Sequence, residues 1–358
     1  MSLSAQTNFA ELVEQAQGRM LDRSIADLPG SFNTKVVKGI PYWYWQYRDL
    51  IDAGKLKQIY LGPDDARLRK LILQRQEAVE ARKLKKDQPS PQGPDGLPGL
   101  VAACISLGCM AVLPQHFKVI SRLAEHGFFR AGGTLVGTHA FHAMSNMLGV
   151  RWMQGWQTND IDFAHPGTNV SLALPANVEM NVHDAITSLE MGLLPRTSIV
   201  DKGASYQTPN KELRIDLLTT IGKKPGIRRN EQLKVNLEPL KFMEFSLEKT
   251  TQTVILSEEN ALVVNIPAPM RYAVHKLLVM AERQEGFHAK LRKDARQIAS
   301  LVSYGLERSP TALKAAAQDI MDRGRGWRGR IKEGMVQFAS FHPDIAQELA
   351  GILGIPGK

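Results

Sequence analysis

The stretch Asp160-Ile161-Asp162-Phe163 constrains the fold more than any other part of the chain. Charged and apolar residues alternate at period two, which is strand spacing, so both carboxylates fall on one face and Ile161 and Phe163 on the other. Like charges this close repel unless water, a proton or a cation separates them. The strand must therefore bury one face and turn the other to solvent or to a cation. An edge strand with a solvated face and one part of a cation site both meet that requirement, and the stretch by itself leaves both open.

The chain has 358 residues, enough for two or three domains, and 43% of them are hydrophobic, enough for a sizeable core. It carries 45 Lys and Arg against 36 Asp and Glu, a formal +9, with a pI near 9.5. That balance favours an anionic partner such as a nucleotide or a nucleic acid. The two cysteines, Cys104 and Cys109, lie in an apolar run and read as core thiols, in keeping with a reducing cytoplasm. The N-terminus is polar and lacks a signal-peptide core. The uncharged stretch from Gly96 to Phe117 is too short and too broken by Pro98, Pro114, Gln115 and His116 for a membrane span.

Periodicity predicts an amphipathic helix over 9–28 and a β-hairpin or meander between Gly30 and Asp64. A basic-ended helix follows Asp64, and residues 88–99 have linker composition. Residues 100–126 read as helix, GFFRAGG as a short strand entering a glycine turn, and TLVGTHAFHAMSNML as a helix. After the DIDF strand, a helix capped by Asn181 and stopped by Pro195 is expected. ASYQTPNKELRIDLLTT reads as a hairpin and residues 241–269 mostly as short strands. From Met270 to about Ala350 the pattern is helical.

Two further features join the aspartate pair. Upstream, Gly132-Gly133-Thr134 forms a glycine turn of the type that lets a backbone approach phosphate at a helix N-terminus. Downstream, Asp216 sits in a strand between Ile215 and Leu217. Its simpler role is a polar strand position opposite a lysine such as Lys211, and Asp216 alone leaves that open. In combination, AGGTLVGTHAF, TNDIDF, LRIDLLT and PAPMRYAVHKLLV resemble the polymerase-β-like nucleotidyltransferase superfamily over roughly Gly99 to Leu301. Within it they are similar to a bacterial family akin to the abortive-infection type IV toxin nucleotidyltransferases. One departure is that Gly133 and Asp160 are 27 residues apart, farther than in minimal members, so that a stretch such as NMLGVRWMQGWQ loops out.

The resemblance implies an α+β nucleotidyltransferase core with a mixed β-sheet flanked by helices. It implies that Asp160, Asp162 and Asp216 hold divalent cations, Mg²⁺ or Mn²⁺, and that Asp216 also helps deprotonate an acceptor hydroxyl. Gly132, Gly133 and Thr134 would hold the β- and γ-phosphates of an NTP, and Lys276 would reach its triphosphate. The acceptor could be RNA, DNA, a protein or a small molecule; no membrane partner is expected, and the sequence does not set the oligomeric state. The alternative is a nucleic-acid-binding protein of the same fold with little or no catalysis.

Other features read more plainly. His139 and His142, three apart on a helix with apolar neighbours, read as packed, hydrogen-bonded histidines. The basic run at Lys290, Arg292, Lys293 and Arg296 reads as a solvated helix face or a nucleotide contact. KGIPYWYWQYRD interleaves aromatics and basic residues, and Lys35 to Lys86 holds 13 basic and 6 acidic residues, a net +7. It builds either a structural hairpin, a protein-docking surface or a base-stacking surface. The expected organisation is a basic N-terminal β-hairpin and helix region over 1–87, a linker over 88–99, the core over 100–266 and a C-terminal helical domain over 267–358. The active cleft is expected between the last two.

Overall fold

A computed structural model describes residues 1–26, 31–37, 39–48, 56–66, 68–69, 72–73, 75–77, 79–80, 97–152, 158–166, 181–197, 202–221, 226–230, 233–283 and 288–356. Residues 88–96 of the linker expected over 88–99, Lys38 and residues 153–157 of the NMLGVRWMQGWQ stretch lie outside them, while Leu97, Pro98 and Gly99 of that linker open the helix Leu97–Ser106.

A mixed sheet carries the middle of the chain. Its strands are β4 (Thr134–Val136), β5 (Asp160–His165), β6 (Leu194–Thr197), β7 (Lys202–Gln207), β8 (Arg214–Thr220), β9 (Arg228–Asn230) and β10 (Val235–Leu240), with the main order β4-β5-β8-β10-β9. β8 pairs parallel with β5 along one side. On its other side it pairs antiparallel with β7 over its first half and parallel with β10 over its last residues. The LRIDLLT segment is thus central, and Ile215, Leu217 and Leu218 are buried. β11 (Thr250–Leu256) and β12 (Ala261–Pro267) form a separate antiparallel hairpin. At the N-terminus β1 (Ser31–Val37), β2 (Ile40–Arg48) and β3 (Leu56–Pro63) make the expected meander as an antiparallel sheet.

Five helices follow from Pro269 to Leu353, as the periodicity predicts. The apolar core runs without a break from Val112 through the mixed sheet into these helices. The N-terminal helix Leu3–Ala26 packs Phe9, Leu12 and Ala16 against Val101 and Cys104 of the helix Leu97–Ser106 and against Val254 and Val263 of the hairpin. Cys104 and Cys109 are free and buried there. Among the described residues no helix is long and apolar enough to cross a membrane.

Local differences from the sequence reading have simple causes. Residues 100–126 split into the helices Leu97–Ser106 and Pro114–Glu125, because Gly108 turns at positive φ and Pro114 starts a new helix. GFFRAGG forms hydrogen-bonded turns; the strand is Thr134–Val136 and the helix starts only at Gly137. Asn181 caps its helix as expected, its Oδ1 accepting from Asp184 N at 3.1 Å, but the helix ends at Thr187 and Pro195 lies in β6. Met243–Leu247 is a short helix within the predicted strands.

Candidate active site

The parallel register of β5 and β8 sets Asp162 directly beside Asp216, on strands about 4.8 Å apart. Asp160 lies two residues upstream on the same strand face. All three are half-buried, whereas Ile161, Ile215, Phe163 and Leu217 are buried. The alternation noted in the sequence thus becomes a carboxylate face backed by a packed one.

The carboxylates strain one another. Burial, helped by Asp216 and Asp160, pushes the Asp162 carboxyl up to about 6, while Lys276 and Lys293 pull it down. Asp216 answers its excess charge by accepting a hydrogen bond from Arg214 Nε at 2.7 Å. Lys211 sits in the preceding turn at positive φ.

The element abutting these carboxylates is the N-terminus of the helix Gly137–Met147. β4 runs antiparallel to β5 with Val136 opposite Asp162, so the chain enters this helix beside the site. Gly137 has φ +64°, and a Cβ there would lie 2.0 Å from Asp162 Oδ2. Only glycine fits, by conformation and by space. Thr138 follows, and the first-turn amides lack intrahelical acceptors. The Tyr272 hydroxyl, from the helix Pro269–Glu282, lies 2.9 Å from Gly137 O and 3.0 Å from Gln297 Oε1, tying this junction to the C-terminal helices.

The Gly132-Gly133-Thr134 turn lies at the other end of β4. Thr134 pairs with Ala164 and Gly132 packs near His165. Its glycines have a packing reason: a Cβ on Gly133 would sit 2.3 Å from the Phe128 ring and 2.6 Å from its carbonyl oxygen. Asn265 Nδ2 donates to Phe129 O and Gly133 O and fixes the turn to β12. Thr134 is buried, its hydroxyl 3.4 Å from Gly132 O. The structure does not bring this turn to the carboxylates.

Two lysines reach toward the site from the C-terminal helices. Lys276 donates to Asp294 Oδ1 at 2.8 Å, and Arg283 holds the other Asp294 oxygen. Burial opposes the charge on both partners, yet the pairing keeps Lys276 raised and Asp294 lowered. Lys293, from the helix His288–Arg308, has no carboxylate within ion-pair distance among the described residues. Burial lowers its pKa, Lys276 adds to that, and Asp162, Asp294 and Asp160 draw it back up. Its neighbours Arg292 and Arg296 are exposed, so the basic run divides into a solvated face and one residue turned to the site.

His139 is a packed residue, as expected. Its Nε2 lies 3.0 Å from His116 Nδ1, and His142 follows one turn on. Burial lowers the pKa of all three, His142 to about 4.

A divalent cation fits the three aspartates in kind: they are oxygen donors, negative and mutually repelling. Among the described residues, however, no group of three or more His, Cys, Asp and Glu side chains is already arranged around a metal position. The Arg214 bond to Asp216 is the contact a cation would replace. A hollow of about 300 Å³ lined by Pro114, Phe117, Lys118 and Arg122 shares no residue with the carboxylate face.

Sequence reasoning did not single out Gly137, Thr138 or Tyr272, and it left Lys293 within a basic run read as a solvated helix face or a nucleotide contact. The signal for the first two was present as Val136-Gly137-Thr138, an apolar residue, a glycine and a hydroxyl where a short strand meets a helix. Nothing in the sequence separated Lys293 from its basic neighbours. A family model described as nucleotidyltransferase matches residues 115–322, a span that holds all three aspartates and both lysines. No curated protein and no solved structure matches the chain.

Proposed function

The chain belongs to that nucleotidyltransferase family, and from this premise we propose that it transfers a nucleoside monophosphate from an NTP to a hydroxyl acceptor, releasing pyrophosphate. The observation that carries the reading is the in-register pair Asp162 and Asp216, with Asp160 on the same face and a helix N-terminus against them. A divalent cation such as Mg²⁺ or Mn²⁺, held by Asp160, Asp162 and Asp216, would offset charge at the α-phosphate and on the leaving pyrophosphate. The residues of the chain do the rest. The free amides at Gly137 and Thr138, at the positive end of their helix, receive triphosphate oxygens. Lys293 adds a cation beside them.

In this reading Lys276 acts at one remove, holding Asp294 and adding positive potential at Asp162. Asp216, once released from Arg214, accepts the proton of the attacking hydroxyl. Gly132, Gly133 and Thr134 brace β4. The finer likeness to abortive-infection type IV toxins belongs to the same reading, and growth arrest on expression that depends on Asp162 would support it.

The direct test is incubation with each α-labelled NTP, Mg²⁺ and either cell RNA or cell protein. The expected result is label transfer with pyrophosphate release. Asp162→Asn should lower the rate at least about a hundredfold, as loss of a group acting in the transition state does. Full activity in Asp162→Asn, or no transfer with any NTP, would overturn the assignment.

A further inference from the structure

The N-terminal sheet β1-β2-β3 has two unlike faces. On one, Phe32 packs edge-on to Trp45 with ring centroids 4.9 Å apart, and Arg75 lies over Trp45 at 4.6 Å. Trp43 Nε1 donates to Asp64 Oδ1 at 3.1 Å. This is the covered, structural face.

The other face carries Asn33, Lys35 and Val37 from β1, Ile40, Tyr42, Tyr44 and Gln46 from β2, and Leu56, Gln58 and Tyr60 from β3, brought together by the strand register. The three tyrosines form a ladder, with Tyr44 to Tyr60 at 5.5 Å and Tyr42 to Tyr60 at 6.1 Å. Lys35 Nζ lies 4.9 Å from the Tyr44 ring and 2.6 Å from Gln58 Oε1, and Asn33 bonds Gln46. Tyr60 is 55% exposed, and Asn33, Lys35 and Gln58 are exposed. Among the described residues nothing outside the sheet makes a hydrogen bond, ion pair or ring contact to this face, and no carboxylate lies on it.

One aromatic face is enough to seat the sheet on its helix. The second row of rings lies on the face that Arg75 does not cover, with Tyr42 and Tyr44 half-buried and Tyr60 exposed. Its chemistry specifies a partner: flat ring faces for stacking, amides for polar edges, and a cation within a segment of net +7 for a polyanion. We propose that the tyrosine face of this sheet binds single-stranded nucleic acid, with bases stacked on Tyr42, Tyr44 and Tyr60 and Lys35 on the phosphates. A duplex hides its base faces, and an acidic peptide brings no row of flat rings to the three tyrosines. The inference stands apart from nucleotidyl transfer, since it needs neither an NTP nor a cation.

The experiment is fluorescence anisotropy of the full chain, without NTP or metal, against labelled oligo-U RNA, oligo-T DNA and a duplex of equal length. Single strands should bind and weaken as NaCl rises from ~50 to ~200 mM, and the RNA and DNA arms show which sugar is accepted. Tyr44→Ala and Tyr60→Ala should each weaken binding about ten- to a hundredfold, whereas Tyr60→Phe should leave it unchanged. Should Tyr44→Ala fail to fold, the exposed Tyr60→Ala and Lys35→Glu carry the test. Absence of saturable single-strand binding, a duplex bound as tightly as the single strands, or folded Tyr60→Ala with undiminished affinity would overturn the proposal.

Discussion

At Gly137 only a hydrogen atom separates the backbone from the Asp162 carboxylate. Gly137→Ala must either push Asp162 aside or move the helix N-terminus, and it forces a left-handed φ on a residue with a Cβ, at about 1–2 kcal/mol. We expect the variant to fold with a lowered Tm and to lose at least about tenfold in transfer activity; unchanged kinetics would remove this junction from the site. The histidines give a second residue-scale prediction. His142 titrates near 4 in the fold, against about 6.5 in an unfolded chain. Between those values the unfolded state takes up a proton that the folded state refuses, so stability falls as pH drops from 6.5 towards 4. Tm of His142→Phe minus Tm of wild type should therefore rise from pH 7.5 to pH 5, and a pH-independent difference would contradict the burial argument. At this scale the sequence discloses what depends on period and neighbours, namely the shared strand face of Asp160 and Asp162 and the strand position of Asp216. It misplaces what depends on which end of a three-residue strand a turn occupies. Gly132-Gly133 is the louder glycine signal, and only the packing of Phe128 reveals that its glycines serve the core.

Between elements, the C-terminal helices are locked to the sheet by close crossings and a charged knot. Arg271, itself buried, pairs with Glu248 and Asp319, donates to Phe245 O at 2.9 Å and stacks on the Phe245 ring, while Arg323 joins the same two carboxylates. The helices Arg325–Ala339 and Pro269–Glu282 meet at Gly334, where a Cβ would lie 2.1 Å from Leu277 O. Gly334→Val should force the helices apart and cost about 1–3 kcal/mol or more. Lys276 and Tyr272 ride on the displaced helix, so the activity of the folded fraction should fall as well. A denaturant midpoint equal to that of wild type would show that the crossing yields freely. Most elements were legible because long amphipathic helices and alternating strands carry strong periodic signals. The misread ones are short: Thr134–Val136, Met243–Leu247 and the break before Pro114 span too few residues for a period, and tertiary packing decides them.

Across the whole molecule, the mixed sheet and the C-terminal helices share one apolar core, and the matched family span covers most of it. The carboxylates belong to the sheet, the lysines to the helices, and the tyrosine ladder to a separate N-terminal sheet. The basic aromatic segment near the N-terminus and the helical pattern after Met270 were visible in composition and period; the contacts joining the parts were not, because they are non-local. The central strand β8 has a further consequence. It is paired along both edges, by β5 on one side and by β7 and then β10 on the other. Its amides should be among the last to exchange with deuterium, surrendering their protons only when the whole domain opens. The third carboxylate would then ride on the slowest clock in the protein, while the junction at Gly137, reached through a strand three residues long, keeps faster time. A deuterium time course in which Ile215 and Leu217 exchange before Leu135 would reverse that order.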